Sequence, residues 1–171
     1  MPLTDQTFFD QAAEHSAEQG QRSVAANEVV CLYFDEKSGR TCPIGKFIVD
    51  AGLYRSEMEA GVTITDLLDE FDDVAELFAG VSRSLLFDVQ DVHDDQEEEE
   101  WLSALWSIAS DHKLDRTALL AADWSQQNVA HLYESMSGNT LCRGRIIDHG
   151  EHDLGRYDDI AALAYIRQAT A

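Results

Sequence analysis

Apolar residues recur at every third or fourth position in several parts of the chain, which is typical of helices with one buried face. The first pattern spans residues 4–20, where Thr4 or Asp5 can cap a helix and Gly20 can end it. Its apolar positions are Phe8, Phe9, Ala12 and Ala13. The clearest pattern predicts one continuous helix over Thr65–Ala79, ended by Gly80. Its buried face would consist of Ile64, Leu67, Leu68, Phe71, Val74, Ala75 and Phe78.

The same spacing predicts further helices towards the C-terminus. One covers Ser82–Val92, and the next opens with the stretch "HDDQEEEEW" (93–101) and buries Trp101, Leu102, Leu105, Ile108 and Ala109. Two more are expected over Arg116–Ala122 and Gln126–Met136, capped by Asp115 and Ser125. The segment "IAALAYIRQ" (160–168) predicts a last helix.

Two segments have the composition of strands. "VVCLYFDEKSGRTCPIGKFIVD" (29–50) predicts a β-hairpin whose turn is closed by Ser38 and Gly39, and Pro43 indicates an edge position or a bulge. "TLCRGRIID" (140–148) is a short strand candidate, followed by a polar loop at 149–159. The predicted fold is α+β and mostly helical, with a hairpin or small antiparallel sheet. Residues 1–114 would form its core and residues 115–171 a helical extension packed on that core, within one domain.

Composition indicates a folded protein with an unusual charge. The 171 residues are 44% hydrophobic, include three tryptophans and carry a net charge of −21. No apolar run approaches the roughly 18 residues of a membrane span, and the N-terminus lacks the pattern of a signal peptide. Three unclustered cysteines favour reduced thiols, so we expect a cytoplasmic protein.

The charge is concentrated in one quarter of the chain. Residues 57–100 hold 16 acids and one arginine, a net charge of −15, whereas residues 1–56 and 101–171 each carry −3. Such a field repels nucleic acids and membrane surfaces and attracts basic proteins. The candidate partner-binding residues are Asp66, Asp69, Glu70, Asp72, Asp73, Glu76, Asp94, Asp95, Glu97, Glu98, Glu99 and Glu100.

Local stability alone does not require so many acids. One or two glutamates in the first turn suffice to interact with a helix dipole, and like charges at i,i+4 destabilise a helix. On a continuous helix, the six acids of residues 66–76 would present one charge per roughly 2.5 Å, against about 1.7 Å for duplex DNA. A solvated acidic surface that serves only solubility is the alternative interpretation.

Candidate chemistry is sparse. Cys31 and Cys42 on the two hairpin arms could approach each other, and Cys142, His149 and His152 could complete a zinc site. The chain has no C-x-x-C spacing, however, so small buried thiols are the favoured interpretation. The loop residues that could serve a metal-dependent enzyme are Asp148, His149, Glu151, His152 and Asp153. His93 beside Asp94 indicates a polar pair, and His112 a cation at a helix end. We therefore predict no cofactor, no metal and no enzymatic activity.

Two segments resemble small uncharacterised proteins of phages and bacterial mobile elements. They are "CLYFDEKSGRTCPIGKFIVDAGLYRSEMEAG", with its Cys-x-Tyr strand, glycine turn and Cys-x-x-Gly strand, and "LLFDVQDVHDDQEEEEW…IASDHKL". The similarity covers about residues 5–114 and implies a phage or plasmid origin, but no catalytic role. The resulting hypothesis is an acidic DNA-mimic inhibitor of a host nucleic-acid-binding defence protein. The alternatives are an immunity or antitoxin-type protein that neutralises a basic toxin, and a metal-dependent enzyme.

Overall fold

A computed structural model describes residues 3–25, 31–59, 62–137, 141–142 and 145–146, and the mostly helical α+β prediction is confirmed. The helices are α1 (Asp5–Gln19), α2 (Pro43–Asp50), α3 (Ile64–Glu70), α4 (Asp72–Leu77), α5 (Arg83–Asp95), α6 (Trp101–Asp111), α7 (Thr117–Ala121) and α8 (Gln126–Ser137). Short 3-10 turns occur at Ser56–Glu59 and Glu98–Glu100. The strands are β1 (Phe34–Asp35), β2 (Arg40–Thr41), β3 (Leu141–Cys142) and β4 (Arg145–Ile146). The loop and last helix predicted at 149–168 lie outside the described residues.

The first helix has the predicted bounds and buried face. Thr4 caps α1 by accepting a hydrogen bond from the Thr7 amide, and the Thr7 hydroxyl accepts one from the Thr4 amide. Gly20 ends the helix with φ +60°, a conformation that costs glycine little. Phe8, Phe9, Ala12 and Ala13 are fully buried, as predicted.

The N-terminal turn of α1 is joined to two distant parts of the chain. Asp5 Oδ1 accepts from the Ser82 amide at 2.6 Å. The Gln6 side chain donates to the main-chain oxygen of Asp115 (3.0 Å) and accepts from the Asp115 amide (2.8 Å). These bonds fix α1 against the segments that precede α5 and α7.

The hairpin is much shorter than predicted. β1 pairs antiparallel with β2 in the register Phe34–Thr41 and Asp35–Arg40. The turn prediction is confirmed, because Gly39 donates to the Asp35 oxygen at 2.8 Å and has φ +75°. Cys31 lies before the hairpin and forms an isolated antiparallel bridge with Val24.

The second predicted strand arm is instead the helix α2, so that prediction is wrong. Pro43 occupies the first turn, where its fixed φ fits a helix and its missing N–H costs nothing. Cys42 caps the helix by accepting from the Gly45 amide at 3.2 Å. A Cβ atom on Gly45 would lie 1.8 Å from the Tyr33 oxygen, so glycine allows α2 to pack directly against the residues that precede β1.

The prediction of one helix over Thr65–Ala79 is also wrong, because Phe71 separates α3 from α4. Phe71 has an extended backbone (φ −122°, ψ 98°), yet its amide still donates to the Leu67 oxygen. The Arg55 guanidinium lies 5.3 Å from the centre of the Phe71 ring and also pairs with Asp73. The break lets Phe71 and Asp73 contact one arginine. The predicted apolar face is largely confirmed, since Phe71 and Ala75 are partly buried and the other five residues are buried.

The acidic stretch that follows Val92 is divided between two elements. α5 continues to Asp95, so Asp94 and Asp95 lie at the C-terminal end of a helix rather than the start of one. The 3-10 turn Glu98–Glu100 then leads into α6. Negative charge at a helix C-terminus is unfavourable, which means that Asp94 and Asp95 are not there to stabilise the dipole.

One hydrophobic core joins the helices. Phe8 of α1, Phe47 of α2 and Phe78 after α4 pack with ring centres 5.1–6.0 Å apart. Leu119 of α7 and Leu132 of α8 belong to the same core, while the predicted division at residues 114 and 115 stays a prediction. The strand candidate at 140–148 contains two short strands, with Leu141 opposite Ile146 and Cys142 opposite Arg145. Within the described residues, no helix has both the length and the apolar character needed to cross a membrane.

Candidate partner-binding surface

Three of the six predicted carboxylates on α3 and α4 have partners elsewhere in the fold. Asp66 completes a capping box, accepting from the Thr63 amide at 3.0 Å and the Thr63 hydroxyl at 2.7 Å, and these bonds lower its pKa. Asp69 pairs with Arg83 at 2.8 Å. Asp73 pairs with Arg55, whose hydrogen bonds lower the pKa of Asp73.

Basic residues from outside the segment contact this acidic face. No lysine or arginine occurs within residues 65–79, but Arg55 and Arg83 reach the face from outside that segment. The density of one charge per roughly 2.5 Å assumed a continuous helix, so it does not hold across the break at Phe71. Both ion pairs are exposed, and such pairs contribute little to stability.

The other three carboxylates of this group are available to a partner. Glu70, Asp72 and Glu76 are exposed, and none has an ion pair within the described part of the chain. They lie on both sides of the Phe71 break. We call these three residues the α3–α4 patch.

The predicted residues of the second group also divide into two kinds. Glu98 Oε1 accepts from the Arg22 amide at 3.3 Å, and Glu100 Oε1 lies 3.4 Å from His131 Nε2. Asp94 Oδ1 lies 3.0 Å from His93 Nδ1, which confirms the predicted polar pair. The exposed residues without an ion pair in the described ranges are Asp95, Glu97 and Glu99, which we call the α5–α6 patch.

Asp91 is an exposed acidic residue that the sequence analysis missed. Partial burial, then Asp95 by its charge and a side-chain hydrogen bond, raise the pKa of Asp91, with further contributions from Asp88 and Asp94. Asp91 and Asp95 are four residues apart on α5, where side chains are neighbours. Ending that helix at Val92 hid this spacing. Asp88 itself pairs with His112 at 2.7 Å, so the expected helix-end cation has a carboxylate partner.

The two patches lie on elements that pack together. Gln90 Oε1 on α5 accepts from the Ile64 amide of α3 at 3.1 Å. Thr63, before α3, and Asp95, at the end of α5, line the same cavity of about 300 Å³. The structure thus places the start of α3 beside the end of α5.

The α5–α6 patch has basic neighbours. A cavity of about 590 Å³ is lined by Glu97–Glu99 together with Arg22 and Arg40. Arg22 also donates through its guanidinium to the main-chain oxygen of Gln96. This end of the acidic surface is therefore less negative than its sequence indicates.

The acidic turn is fixed from the other side by α8. In the side-chain orientation that satisfies its neighbours, the Asn128 amide donates to the oxygens of Glu98 (2.8 Å) and Glu99 (3.3 Å). The same side chain accepts from the Ser125 hydroxyl at 2.9 Å. Because these bonds fix the backbone of the turn, binding there would have to order mainly the Glu97 and Glu99 side chains.

The half-buried Glu59 was also missed, and its role is structural. Its two carboxylate oxygens accept the amides of Tyr33 (2.9 Å) and Phe34 (2.8 Å). Burial raises the pKa of Glu59, and these two amides oppose that shift. Nothing in the sequence links residue 59 to the start of the hairpin, because the contact depends on the tertiary fold.

One cluster in the described part of the chain has donor atoms of the kinds that bind metals. The ligand atoms of Cys31, His93 and Asp94 all lie within 4.8 Å of one another. However, His93 Nε2 accepts from the Ser23 amide at 3.0 Å, so the ring proton is on Nδ1, facing Asp94. A histidine ligand normally uses one nitrogen for the metal and donates from the other. Here both nitrogens are occupied, and this favours a structural role for the cluster.

The thiols have the character of protonated, partly or fully buried groups. Burial, and then the charge of Asp94, raise the pKa of Cys31 to about 12. Burial also raises the pKa of Cys42, whose sulfur caps α2. Both cysteines are free, and both line the cavity of about 300 Å³. The zinc alternative needs two further ligands from Cys142, His149 and His152. The two histidines lie outside the described residues, and only the backbone of Cys142 is described.

Comparisons with known protein families, with curated proteins and with solved structures gave no match to this chain. The resemblance to phage and mobile-element proteins therefore has no support beyond the quoted motifs. The function has to be inferred from the charges and contacts described above.

Proposed function

We propose that the protein is a non-enzymatic acidic binding module that occupies the basic surface of a nucleic-acid-binding protein. In this proposal it is encoded by a phage or mobile element, acts in the cytoplasm of a bacterial host, and inhibits a defence protein by imitating DNA. Its carboxylates would meet the arginines and lysines that otherwise bind phosphates.

The observation that carries the proposal is a set of exposed carboxylates without ion pairs in the described residues. Three form the α3–α4 patch and three the α5–α6 patch, and Asp91 lies beside the latter. Their mutual repulsion opposes folding. A basic partner would convert that repulsion into favourable contacts.

The contacts also narrow the proposed interface. Six of the twelve candidate residues bond to amide, hydroxyl, histidine or arginine groups of the protein, namely Asp66, Asp69, Asp73, Asp94, Glu98 and Glu100, whereas Asp95 shares a hydrogen bond with the carboxyl group of Asp91. We assign direct partner contact to Glu70, Asp72, Glu76, Asp95, Glu97 and Glu99, with Asp91 added. The six residues with partners such as Arg55, Arg83 and His93 would position the residues that contact the partner.

Capture from a bacterial lysate tests the α3–α4 patch. Immobilised wild-type protein should retain a basic protein that the Glu70→Lys/Asp72→Lys/Glu76→Lys variant does not retain. The matched control is Glu14→Lys/Glu18→Lys/Glu36→Lys, which changes the net charge equally at exposed acids outside residues 57–100. Equal loss of capture by the two variants would show that net charge, rather than the patch, attracts the protein. Unchanged capture by a folded patch variant would leave these carboxylates as a solubility surface.

Elution distinguishes DNA imitation from toxin neutralisation. If the captured protein binds through its DNA-binding surface, added duplex DNA should release it at constant salt. A basic toxin bound through another surface should resist DNA and be released by salt alone. The free protein itself should have no measurable affinity for duplex DNA at physiological salt, because residues 57–100 carry −15. Salt-sensitive binding of the free protein to DNA would contradict the charge argument.

A further inference from the structure

A buried histidine joins the end of α5 to a distant segment of the chain. His93 is 2% exposed, and the Trp101 ring packs 5.6 Å from its centre. Its Nε2 accepts from the Ser23 amide and its Nδ1 donates to Asp94 Oδ1, both at 3.0 Å. The main-chain N–H of Ser23 can only donate, so Nε2 must be the acceptor. This arrangement therefore requires the neutral imidazole with its proton on Nδ1.

The segment held by His93 has several other attachments. The Ser23 hydroxyl donates to the Arg40 oxygen at 3.1 Å, and the Ser23 oxygen accepts from the Leu32 amide at 2.8 Å. Arg22 contacts the main-chain oxygen of Gln96. His93 thus holds Ser23 from within α5, while Arg22 is bound to Gln96 and Glu98 just beyond the end of that helix.

We propose that His93 is a proton-controlled latch that releases residues 22–24 from α5 when the imidazole is protonated. A proton from solvent would add to the Nε2 lone pair, so that an N–H would face the Ser23 N–H. Ser23 is completely buried, so its amide would lose its acceptor with no water to replace it. Arg22 and Val24 line the cavity that contains Glu97–Glu99, and release would open that cavity.

Charged and titratable groups face His93 from three elements, namely Asp94 of α5 at Nδ1, Arg22 beside Ser23 on the held segment, and His15 of α1. The Nδ1–H bond to Asp94 is kept in both forms of the ring. Cys31 carries a neutral thiol. The Ser23 amide is the neighbour whose hydrogen bond exists in only one protonation state, so proton uptake acts on that segment.

Amide hydrogen exchange of the free protein tests the latch without any partner. Between about pH 8 and pH 5, where imidazoles change charge, the protection factor of the Ser23 amide should fall by about tenfold or more. The Leu67 amide, which donates to the Thr63 oxygen in α3, should keep its protection and serves as the internal reference. Constant Ser23 protection across this range would overturn the proposal.

Two variants separate the roles of the ring nitrogens. In His93→Gln the amide oxygen can take the place of Nε2 as a non-titrating acceptor, so Ser23 protection should be independent of pH. In His93→Asn the shorter amide can reach only Asp94, so Ser23 should be poorly protected at every pH. If Ser23 protection falls equally on acidification in the wild type and in His93→Gln, the titrating group lies elsewhere and the proposal is wrong. The same measurement on His15→Gln then tests whether His15 is that group.

A measurement on the wild type covers the case in which a variant fails to fold. Nitrogen NMR of the imidazoles at neutral pH should show His93 protonated on Nδ1 and unprotonated on Nε2. The opposite tautomer would overturn the proposal whatever the variants show.

Discussion

Replacing Gly45 with alanine should destabilise the protein strongly, against the usual effect of this change. Within a helix, alanine is ordinarily more stable than glycine by about 0.5–1 kcal/mol. At Gly45 the added Cβ would lie 1.8 Å from the Tyr33 oxygen, 2.5 Å from its carbonyl carbon and 3.0 Å from its Cα. All three atoms are backbone, so no side chain can move aside.

The size of the effect follows from the required displacement. Ordinary contact begins at 3.4 Å, so α2 and the Tyr33 backbone would have to separate by 1.6 Å. That movement disturbs Ile44, Phe47 and Ile48, which α2 contributes to the core. Overpacking typically costs 1–3 kcal/mol, so we expect a loss of about 2 kcal/mol or more after the propensity gain. For a domain of this size the melting temperature should fall by roughly 4 °C or more.

Urea unfolding followed by tryptophan fluorescence and circular dichroism measures the loss. The midpoint should fall at an unchanged slope, which identifies a change in stability rather than in compactness. The control is Gly39→Ala, where φ is +75° and no atom lies within 4 Å of the added Cβ. This control carries only the left-handed backbone cost of about 1–2 kcal/mol. An unchanged or higher midpoint for Gly45→Ala would refute the proposed close packing of α2 on Tyr33.

Three further predictions concern titrating groups. Because burial raises the pKa of both Cys31 and Cys42, these two thiols should react slowly with iodoacetamide in the native protein at neutral pH and rapidly after unfolding. Peptide mass mapping distinguishes them from Cys142. Rapid native labelling of either would contradict its burial, and stoichiometric zinc lost in the double serine variant would contradict their structural role. Burial lowers the pKa of His15, so its stability contribution is present above the unfolded pKa and lost as pH falls through the folded one. His15→Gln should therefore flatten the melting temperature measured between about pH 7 and pH 5, and an unchanged acid dependence would exclude His15 as a cause. The Thr63 hydrogen bonds lower the pKa of Asp66, so the contribution of Asp66 to stability is present above its unfolded pKa and is lost as the pH falls through its folded pKa. Asp66→Asn should therefore reduce the acid-dependent loss of stability. Identical plots of stability against pH for the variant and the wild type would refute the capping assignment.

The spacing of apolar residues was sufficient to predict most of the helices. It failed where a residue is compatible with two kinds of local structure. Pro43 fits both a strand edge and a helix start, and the residues after it alternate too little to decide. The structure selects the helix, because Gly45 packs against Tyr33 and Cys42 caps the first turn. The Phe71 break was invisible for a related reason, since neither proline nor glycine marks it.

The candidate surface was predictable in composition but not in organisation. The sequence shows which residues are acidic, whereas the pairing of Asp69 with Arg83 and of Asp73 with Arg55 depends on how separate elements pack. Sequence spacing cannot reveal such partners when they lie 14 and 18 residues away. Asp91 was likewise missed because the predicted helix ended at Val92, whereas α5 continues to Asp95, the neighbour of Asp91.

The attachment of α1 has a consequence for synthesis on the ribosome. Gln6 and Asp115 are separated by 109 residues, and Asp5 and Ser82 by 77. At 5–20 residues per second, the ribosome needs about 5–20 s after Gln6 to reach Asp115. During that interval Phe8 and Phe9 on the nascent helix lack part of their final cover, so chains stalled before Asp115 should bind chaperones more strongly than chains stalled well after it.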